Sequence, residues 1–398
     1  MPRLPIIAPL VLALLSGCAG DNPAAPEADL DALAAGLEVV PGPTWPEPLP
    51  AGALGWSASH LAAAHRRFEA LESASLMVIY RGTPVAVWGA VEERYTVQSV
   101  RKPLLGALLG QEVDAGRLRL DATLAELEID DSPPALTDSE RSATVEDLLR
   151  SRSGIFHSAL YEHGSWKRAR PERGSHPPGS FWYYNNWDFN ALGTLFEQSS
   201  GASIGEAFLE RIARPVGMED FRARDVAYLT RDSLTERMMG NDSVHAAYIF
   251  RMSTRDLARF GLLVLRRGEW GGRQVVPAEW VEASLRGPEI GWLEGEETTR
   301  YGYLWWIYPE ESWLGRRAGG EVWLAQGARG HWLAIVPSLD LVFVHQVATG
   351  GIGLLAQMRR RVLGAPEVDD AELATLLEEI VAAHPARSVG GSAGAVPR

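Results

Sequence analysis

The tetrad Ser99-Val100-Arg101-Lys102 holds two residues that could perform nucleophilic catalysis. Of the 38 basic residues in the chain, only Lys102 and Lys167 are lysine. Arginine stays protonated in proteins, whereas a lysine can lose its proton where water is excluded. Residues i and i+3 share a helix face, so the hydroxyl of Ser99 and the amine of Lys102 can meet. The spacing is typical of a nucleophile with its base, although a Ser at a helix start beside a solvated Lys would fit the tetrad alone.

A second cluster lies in the aromatic run that follows the turn Pro178-Gly179 and ends in Tyr184-Asn185-Asn186. A tyrosine hydroxyl beside Lys102 could relay a proton to a leaving group, and an amide could orient the lysine or a substrate carbonyl. The alternative for these residues alone is a packed aromatic loop.

A third cluster, Ala325-Gln326-Gly327-Ala328-Arg329-Gly330, follows a strand predicted near the end of the chain. Glycines at such a position allow a backbone N–H to approach a substrate closely. In isolation, a strand that ends in a plain turn explains the cluster equally well.

Together the three clusters resemble the serine β-lactamase and penicillin-binding protein superfamily. The resemblance is closest to its class C-type branch, which includes esterases, D-amino acid amidases and 6-aminohexanoate-oligomer hydrolases. The family order is Ser-x-x-Lys, then Tyr-x-Asn, then Lys-Thr-Gly or a relative on a late strand. The resemblance covers roughly residues 55–365, and its motifs are specific as a set.

The resemblance implies a role for each matching residue. Ser99 would be the nucleophile, Lys102 the base that activates it, and Tyr184 the group that shuttles protons. Asn186 would hold the substrate or Lys102 in place. The backbone N–H groups of Ser99 and Ala328 would form the oxyanion hole, which is often a large electrostatic contribution to catalysis. Neither a cofactor nor a metal ion is expected.

Two points of the match stay open. Tyr183-Tyr184-Asn185 also fits Tyr-x-Asn, although the spacing from the Pro-Gly turn favours Tyr184. At the third motif, Ala325 replaces the family's cationic or imidazole side chain, which weakens the case for penicillins or cephalosporins as substrates. Gln326 and Gly327 are expected to line the substrate site, and Arg329 is a candidate to restore the positive charge or else faces water.

The sequence thus predicts a serine hydrolase that cleaves a carboxylic ester, a small amide or a peptide-like substrate. A β-lactamase or D-Ala-peptide hydrolase is the alternative within the same mechanism. A further alternative is a non-catalytic, cell-wall-binding or sensory lipoprotein. Tryptophans of segments near the predicted cleft indicate an apolar acyl pocket, with core packing as the alternative: Trp166, Trp182, Trp187, Trp305, Trp306, Trp313, Trp323 and Trp332.

The motif Gly201-Ala202-Ser203-Ile204-Gly205 offers a second candidate nucleophile. A Gly-x-Ser-x-Gly elbow needs a strand before it and a helix after it. A helix is predicted before it instead, and Ser203 with Glu206 forms a capping box. We therefore expect Ser203 to cap a helix.

The periodicity predicts an α/β (α+β) fold, in which an antiparallel β-sheet is flanked by N- and C-terminal helices and a mostly helical lobe is inserted. A hairpin is expected at 76–88 and late strands at 301–307, 322–326, 332–336 and 341–347, with a C-terminal helix after them. The hydrolase domain is predicted at 51–384, with the sheet lobe at about 51–98 and 290–384 and the helical lobe at about 99–289. Ser99 lies at the junction of the lobes.

The N-terminus predicts export to the cell envelope. Residues 1–17 are typical of a lipoprotein signal peptide, and Cys18, the only cysteine, is the predicted site of lipid attachment. Residues 18–50 are expected to be a flexible tether, and residues 385–398 a disordered tail. We expect a bacterial protein anchored in a membrane, facing the periplasm, with the outer membrane favoured. The net charge of −13 argues against nucleic acid as a partner.

Overall fold

The structure, a computed structural model, describes residues 28–29, 33, 38–50, 52–162, 164–291, 298–351 and 366–388. The strands are β1 (Ser75–Tyr80), β2 (Thr83–Gly89), β3 (Tyr95–Thr96), β4 (Val226–Leu229), β5 (Ala247–Met252), β6 (Glu269–Trp270), β7 (Arg273–Gln274), β8 (Arg300–Tyr301), β9 (Trp306–Tyr308), β10 (Val322–Gly327), β11 (His331–Val336) and β12 (Leu341–Gln346).

The α-helices are α1 (Ala58–Ala70), α2 (Arg101–Asp114), α3 (Asp138–Arg141), α4 (Val145–Leu149), α5 (Gly164–Ala169), α6 (Asn186–Ser200), α7 (Ile204–Phe208), α8 (Leu234–Met239), α9 (Thr254–Leu265), α10 (Ala278–Ser284), α11 (Trp313–Ala318), α12 (Asp370–Ala382) and α13 (Pro385–Ser388). A short 3₁₀ turn, Gln98–Val100, leads directly into α2.

The main sheet has seven antiparallel strands in the order β2-β1-β12-β11-β10-β9-β8. β1 is buried along its whole length, as expected for a strand that is covered on both faces. Arg81 and Gly82, which join β1 to β2, both have positive φ values of 51° and 82°, the geometry of a two-residue type I′ hairpin. Since β1 pairs with β12, the sheet joins the two ends of the domain.

Helices cover both faces of this sheet. On one face, Phe68 of α1 packs against Trp88 of β2 and His345 of β12, and α1 also contacts α12. On the other face, α9 lies so close that a Cβ on Gly261 would come within 2.5 Å of the side chain of Val342. The predicted fold class is confirmed: an antiparallel sheet is flanked by helices from both ends of the chain, and a second lobe is inserted.

The inserted lobe is helical around a small second sheet. Helices α2 to α8 lie in this part of the chain, together with the three-stranded sheet β3-β5-β4. Helix α9 falls within the predicted helical lobe of 99–289, but it packs on the main sheet through β1, β11 and β12. The reason is that α9 has an apolar face, and Gly261 on that face permits the helix to approach the sheet closely.

The strand predicted at 301–307 is wrong as a single strand. The structure forms two short strands, β8 and β9, which pair with each other through Tyr301 and Trp306. Leu304 between them has a φ of 67°, a left-handed conformation that ends a strand.

The predicted flexible tether and the predicted disordered tail both contain residues that belong to the folded domain. Residues 38–50 of the predicted tether pack on the domain, because Trp45 and Leu49 are buried apolar side chains. Of the predicted tail, residues 385–388 form α13, and Arg387 donates a hydrogen bond to the carbonyl oxygen of Gly319. The predicted signal peptide and Cys18 lie outside the described residues. Within the described part of the chain, every helix is too short or too polar to cross a membrane.

Candidate active site

Ser99 lies in the 3₁₀ turn at the start of α2, at the junction of the two lobes. The preceding residue, Gln98, has a φ of 52°, which is uncommon for a residue with a side chain. Its amide is held at both ends, because the oxygen accepts a hydrogen bond from the Tyr161 hydroxyl and Nε2 donates to Thr349 Oγ1 at 3.5 Å. Backbone strain of this kind persists only where neighbouring contacts enforce it. The turn that presents Ser99 is therefore fixed by both lobes.

Lys102 lies one helical turn beyond Ser99 and is almost completely buried. Its Nζ is 2.7 Å from Ser99 Oγ and 2.5 Å from the Tyr184 hydroxyl. It also lies over the rings of Tyr184 and Phe189, with 4.3 Å and 4.4 Å to the ring centroids. Burial lowers the pKa of Lys102 well below its usual value, and the positive charge of Arg101 lowers it further. Both effects favour the neutral amine, which is the form that can accept a proton.

Tyr184 is the tyrosine that reaches Lys102. Burial raises its pKa to about 12, so its hydroxyl keeps its proton at neutral pH. Its ring stacks on Trp306 at 5.5 Å and lies 5.0 Å from the ring of Trp166. The neighbouring Tyr183 points elsewhere, because its hydroxyl hydrogen-bonds to Glu162 and to the carbonyl oxygen of Trp166.

The two asparagines after Tyr184 have different surroundings. Asn185 is the N-cap of α6: its Oδ1 accepts a hydrogen bond from the Trp187 N–H at 3.1 Å, and its Nδ2 donates to Asp188. Asn186 lines the pocket beside Ser99, and its Nδ2 donates to the carbonyl oxygen of Tyr161 at 3.0 Å. Asn186 therefore lies where a substrate could contact it.

The end of β10 closes the other side of the site. A Cβ on Gly327 would lie 2.6 Å from the carbonyl oxygen of Val97 and 3.2 Å from the Cβ of Gln98, so the strand and the Ser99 turn touch backbone to backbone. Ala328 follows at the exposed edge of the pocket. The close contact explains why glycine is required at this position.

The two side chains predicted to bind substrate beside Gly327 are already paired. Gln326 Nε2 donates to Asp370 Oδ2 at 2.7 Å, and Arg329 NH1 lies 3.2 Å from Glu367 Oε2. Ala325 is buried in β10, where it pairs with Leu333. The charge that Ala325 lacks is thus not replaced by a free arginine.

These residues enclose a cavity of about 450 Å³. Aromatic rings form one side of it, and the charged residues that precede and begin α12 form the rim. Three of the eight tryptophans expected near the cleft line it, Trp166, Trp306 and Trp313. The lining consists of Ser99, Trp166, Tyr184, Asn186, Trp306, Tyr308, Trp313, Gln326, Gly327, Ala328, Arg329, Gly330, Glu367, Val368, Asp369 and Asp370.

Ser203 and His331 lie outside the cavity, and their contacts are those of residues that stabilise the fold. Ser203 is the N-cap of α7, as the sequence predicted, and its hydroxyl accepts a hydrogen bond from the Glu206 N–H. The predicted capping box is formed only in part, because the Glu206 carboxylate accepts its hydrogen bond from the Ser203 hydroxyl at 2.9 Å. His331 is fully buried at the start of β11, opposite Gly327 of β10, where desolvation lowers its pKa to about 3, so its ring is neutral. Its Nε2 is 3.4 Å from Thr349 Oγ1.

Sequence reasoning missed two contributions to this site. Phe189 lies under Lys102, and its position three residues after Asn186 on the same helix face was a usable signal. The clamp on Gln98 by Tyr161 and Thr349 joins residues far apart in the sequence, which no local pattern reveals.

Comparison with known proteins identifies the family and the folds that this chain resembles. The family model described as Beta-lactamase matches residues 61–363. Penicillin-binding protein 4 of Amycolatopsis lactamdurans is 31% identical in an alignment 152 residues long that covers 35% of this chain and 38% of that protein. Unguisins hydrolase of Aspergillus campestris is 25% identical in an alignment 201 residues long that covers 38% of this chain and 38% of that protein.

Among solved structures, a penicillin-binding protein homologue from Caulobacter crescentus superimposes with a TM-score of 0.56 at 17% identity, covering 81% of this chain and 97% of that one. At this identity the likeness concerns the fold. The matched region spans 38% of each of the two curated relatives.

Proposed function

Because the chain belongs to the beta-lactamase family, we propose that it is a serine hydrolase that cleaves a carboxylic ester or a small amide through an acyl-enzyme on Ser99. One observation carries the proposal: the buried Nζ of Lys102 contacts both Ser99 Oγ and the Tyr184 hydroxyl. A nucleophile with its base in reach, and a third group that contacts the base, is the arrangement that nucleophilic catalysis requires.

In the acylation step, Ser99 Oγ attacks the carbonyl carbon of the substrate while its proton passes to Lys102 Nζ. The bond to the leaving group then breaks, and the leaving group takes a proton from the Tyr184 hydroxyl, which Lys102 reprotonates. In deacylation, water attacks the ester carbon, its proton returns through the same pair to Ser99 Oγ, and the carboxylic acid is released. The backbone N–H groups of Ser99 and Ala328 are proposed to hold the oxyanion in both steps.

The charges at the rim support a substrate without a carboxylate. Glu367, Asp369 and Asp370 line the cavity, whereas the single arginine of the rim, Arg329, already pairs with Glu367. A penicillin or cephalosporin would bring its carboxylate to an acidic rim. We therefore favour neutral esters and amides, and the comparison of a short-chain nitrophenyl ester with a chromogenic cephalosporin tests the preference.

The nucleophile is tested with Ser99→Ala and with Ser203→Ala as a matched control. Ser99→Ala should abolish ester hydrolysis and covalent labelling by a fluorophosphonate probe. Ser203→Ala should keep both, and lose about 1 kcal/mol of stability through the missing helix cap. Unchanged hydrolysis in purified Ser99→Ala protein would refute the proposal, and absent labelling of the wild-type protein would favour a non-catalytic lipoprotein.

A further inference from the structure

Arg101, the residue between Ser99 and Lys102 that no motif uses, is fully buried. Its NH2 donates a hydrogen bond to Asn190 Oδ1 at 3.3 Å, and Asn190 is a neutral amide. Its Nε and NH1 have no hydrogen-bond partner within the described residues. The guanidinium lies over the ring of Tyr248, 4.2 Å from the centroid, and 5.8 Å from that of Tyr161.

This arrangement is unusual for a structural arginine. A buried charge without a carboxylate or another compensating group costs stability, and buried arginines are normally paired. The comparison within this chain is Arg259, which is equally buried but donates to the carbonyl oxygens of Val216 and Gly42 and lies 3.7 Å from Glu219. The charge of Arg101 therefore persists in spite of its cost, which points to a use for it.

The neighbour that this charge acts on is Lys102. Buried ionisable groups on neighbouring elements include Tyr184 before α6, Asp188 on α6, Tyr248 on β5 and Tyr301 on β8. Burial raises the pKa of each of these groups, so all four favour the uncharged form. Arg101 directly precedes Lys102 in α2 and both side chains are buried, so its charge lowers the pKa of Lys102 in addition to the larger effect of burial.

We propose that Arg101 is a positioning residue of the reaction, whose buried and unpaired charge keeps Lys102 neutral and therefore able to accept the proton of Ser99. The proposal rests on the proposed function, in which Lys102 is the base.

The test is the pH dependence of kcat/KM for a neutral nitrophenyl ester in the full chain. Arg101→Met removes the charge, so the pKa of Lys102 should rise and the acid limb of the profile should move upward by about one pH unit or more. Activity near pH 7 should then fall about tenfold for each unit and recover at alkaline pH. Arg101→Gln, which keeps a polar group beside Asn190, should shift in the same direction and serves if the methionine variant does not fold.

The matched control is Arg259→Met, which removes an equally buried arginine from α9. It should lower stability and leave the acid limb in place. An Arg101→Met profile that keeps its wild-type acid limb, or falls equally at every pH, would overturn the proposal for Arg101. The proposed function is judged separately: fluorophosphonate labelling of Ser99, together with loss of activity in Lys102→Arg, would uphold it even if the Arg101 variants showed no shift.

Discussion

Two adjacent tyrosines, Tyr183 and Tyr184, have the same side chain and different surroundings. The hydroxyl of Tyr184 contacts Lys102 Nζ, while that of Tyr183 contacts Glu162 and the backbone oxygen of Trp166. Burial raises the pKa of both phenols, so both are protonated at neutral pH. The two tyrosines differ in the partner with which each hydroxyl can exchange a proton.

Phenylalanine at each position should therefore separate a catalytic from a structural hydroxyl. Tyr184→Phe keeps the ring that stacks on Trp306 and removes the hydroxyl proposed to relay protons, so kcat should fall by roughly 10²- to 10⁴-fold. Tyr183→Phe should keep most of its activity and lose about 1 kcal/mol of stability with its hydrogen bonds. Steady-state kinetics and thermal unfolding measure the two effects. The opposite pattern of activities would assign the family's Tyr-x-Asn motif to Tyr183.

At the scale of elements, the site depends on how closely strand β10 approaches the turn that carries Ser99. Gly327 permits the approach, since any Cβ there would meet the backbone of Val97 and the Cβ of His331 at 2.6 Å and 2.9 Å. The contact is between two backbones, and neither can move aside as a flexible side chain could. The position of Ser99 relative to Ala328 is thus set by the absence of one methyl group.

Gly327→Ala should push β10 away from Ser99. We expect kcat/KM to fall by roughly 10- to 100-fold, because small displacements of catalytic groups have large effects. Overpacking should also cost about 1–3 kcal/mol in the free energy of unfolding. Gly42→Ala is the control, since a Cβ at Gly42 would meet nothing within 4 Å. Full activity in Gly327→Ala would show that the strand end does not hold the reacting groups.

The elements that could be predicted from the sequence are those whose signals are local. The hairpin at β1 and β2, helix α2 and the apolar stripe of α12 follow from periodicity over a few residues. The spacing of Ser99 and Lys102 predicts their contact for the same reason. The division of β8 from β9 was missed because the left-handed conformation of Leu304 depends on tertiary contacts, and leucine gives no sign of it.

The site residues that escaped prediction are those defined by what surrounds them. Arg101 was visible in the tetrad, yet its proposed role follows from two guanidinium nitrogens, Nε and NH1, that have no hydrogen-bond partner within the described residues, which only the packed structure reveals. Trp306, by contrast, was expected near the cleft, and the structure adds that β9 brings its ring onto Tyr184.

For the molecule as a whole, the segment 38–50 changes where the folded unit begins. Its many prolines favoured the prediction of a tether. The apolar residues Trp45 and Leu49 indicated burial, but the proline-rich composition outweighed them in the prediction. The Val39 N–H donates to the carbonyl oxygen of Arg81, in the β1–β2 turn, and Trp45 Nε1 donates to that of Arg255 on α9. The segment therefore joins the edge hairpin of the sheet to the helix on its inner face.

If this segment belongs to the folded unit, Trp45→Ala should destabilise the full chain strongly. Trp45 is only 7% exposed and its ring lies 5.0 Å from the guanidinium of Arg259, so its removal leaves a cavity beside a buried charge. We expect the free energy of unfolding, measured by denaturant titration, to fall by roughly 3–5 kcal/mol. Val40→Ala, at a side chain that is 51% exposed, should change it little. If the segment were a tether, both substitutions would have equally small effects. Equal unfolding midpoints in the two variants would therefore show that the folded domain begins at about residue 51, as the sequence predicted. Unfolding of the Trp45 variant at a lower denaturant concentration, with esterase activity retained before the transition, would place the segment within the domain and outside the catalytic machinery.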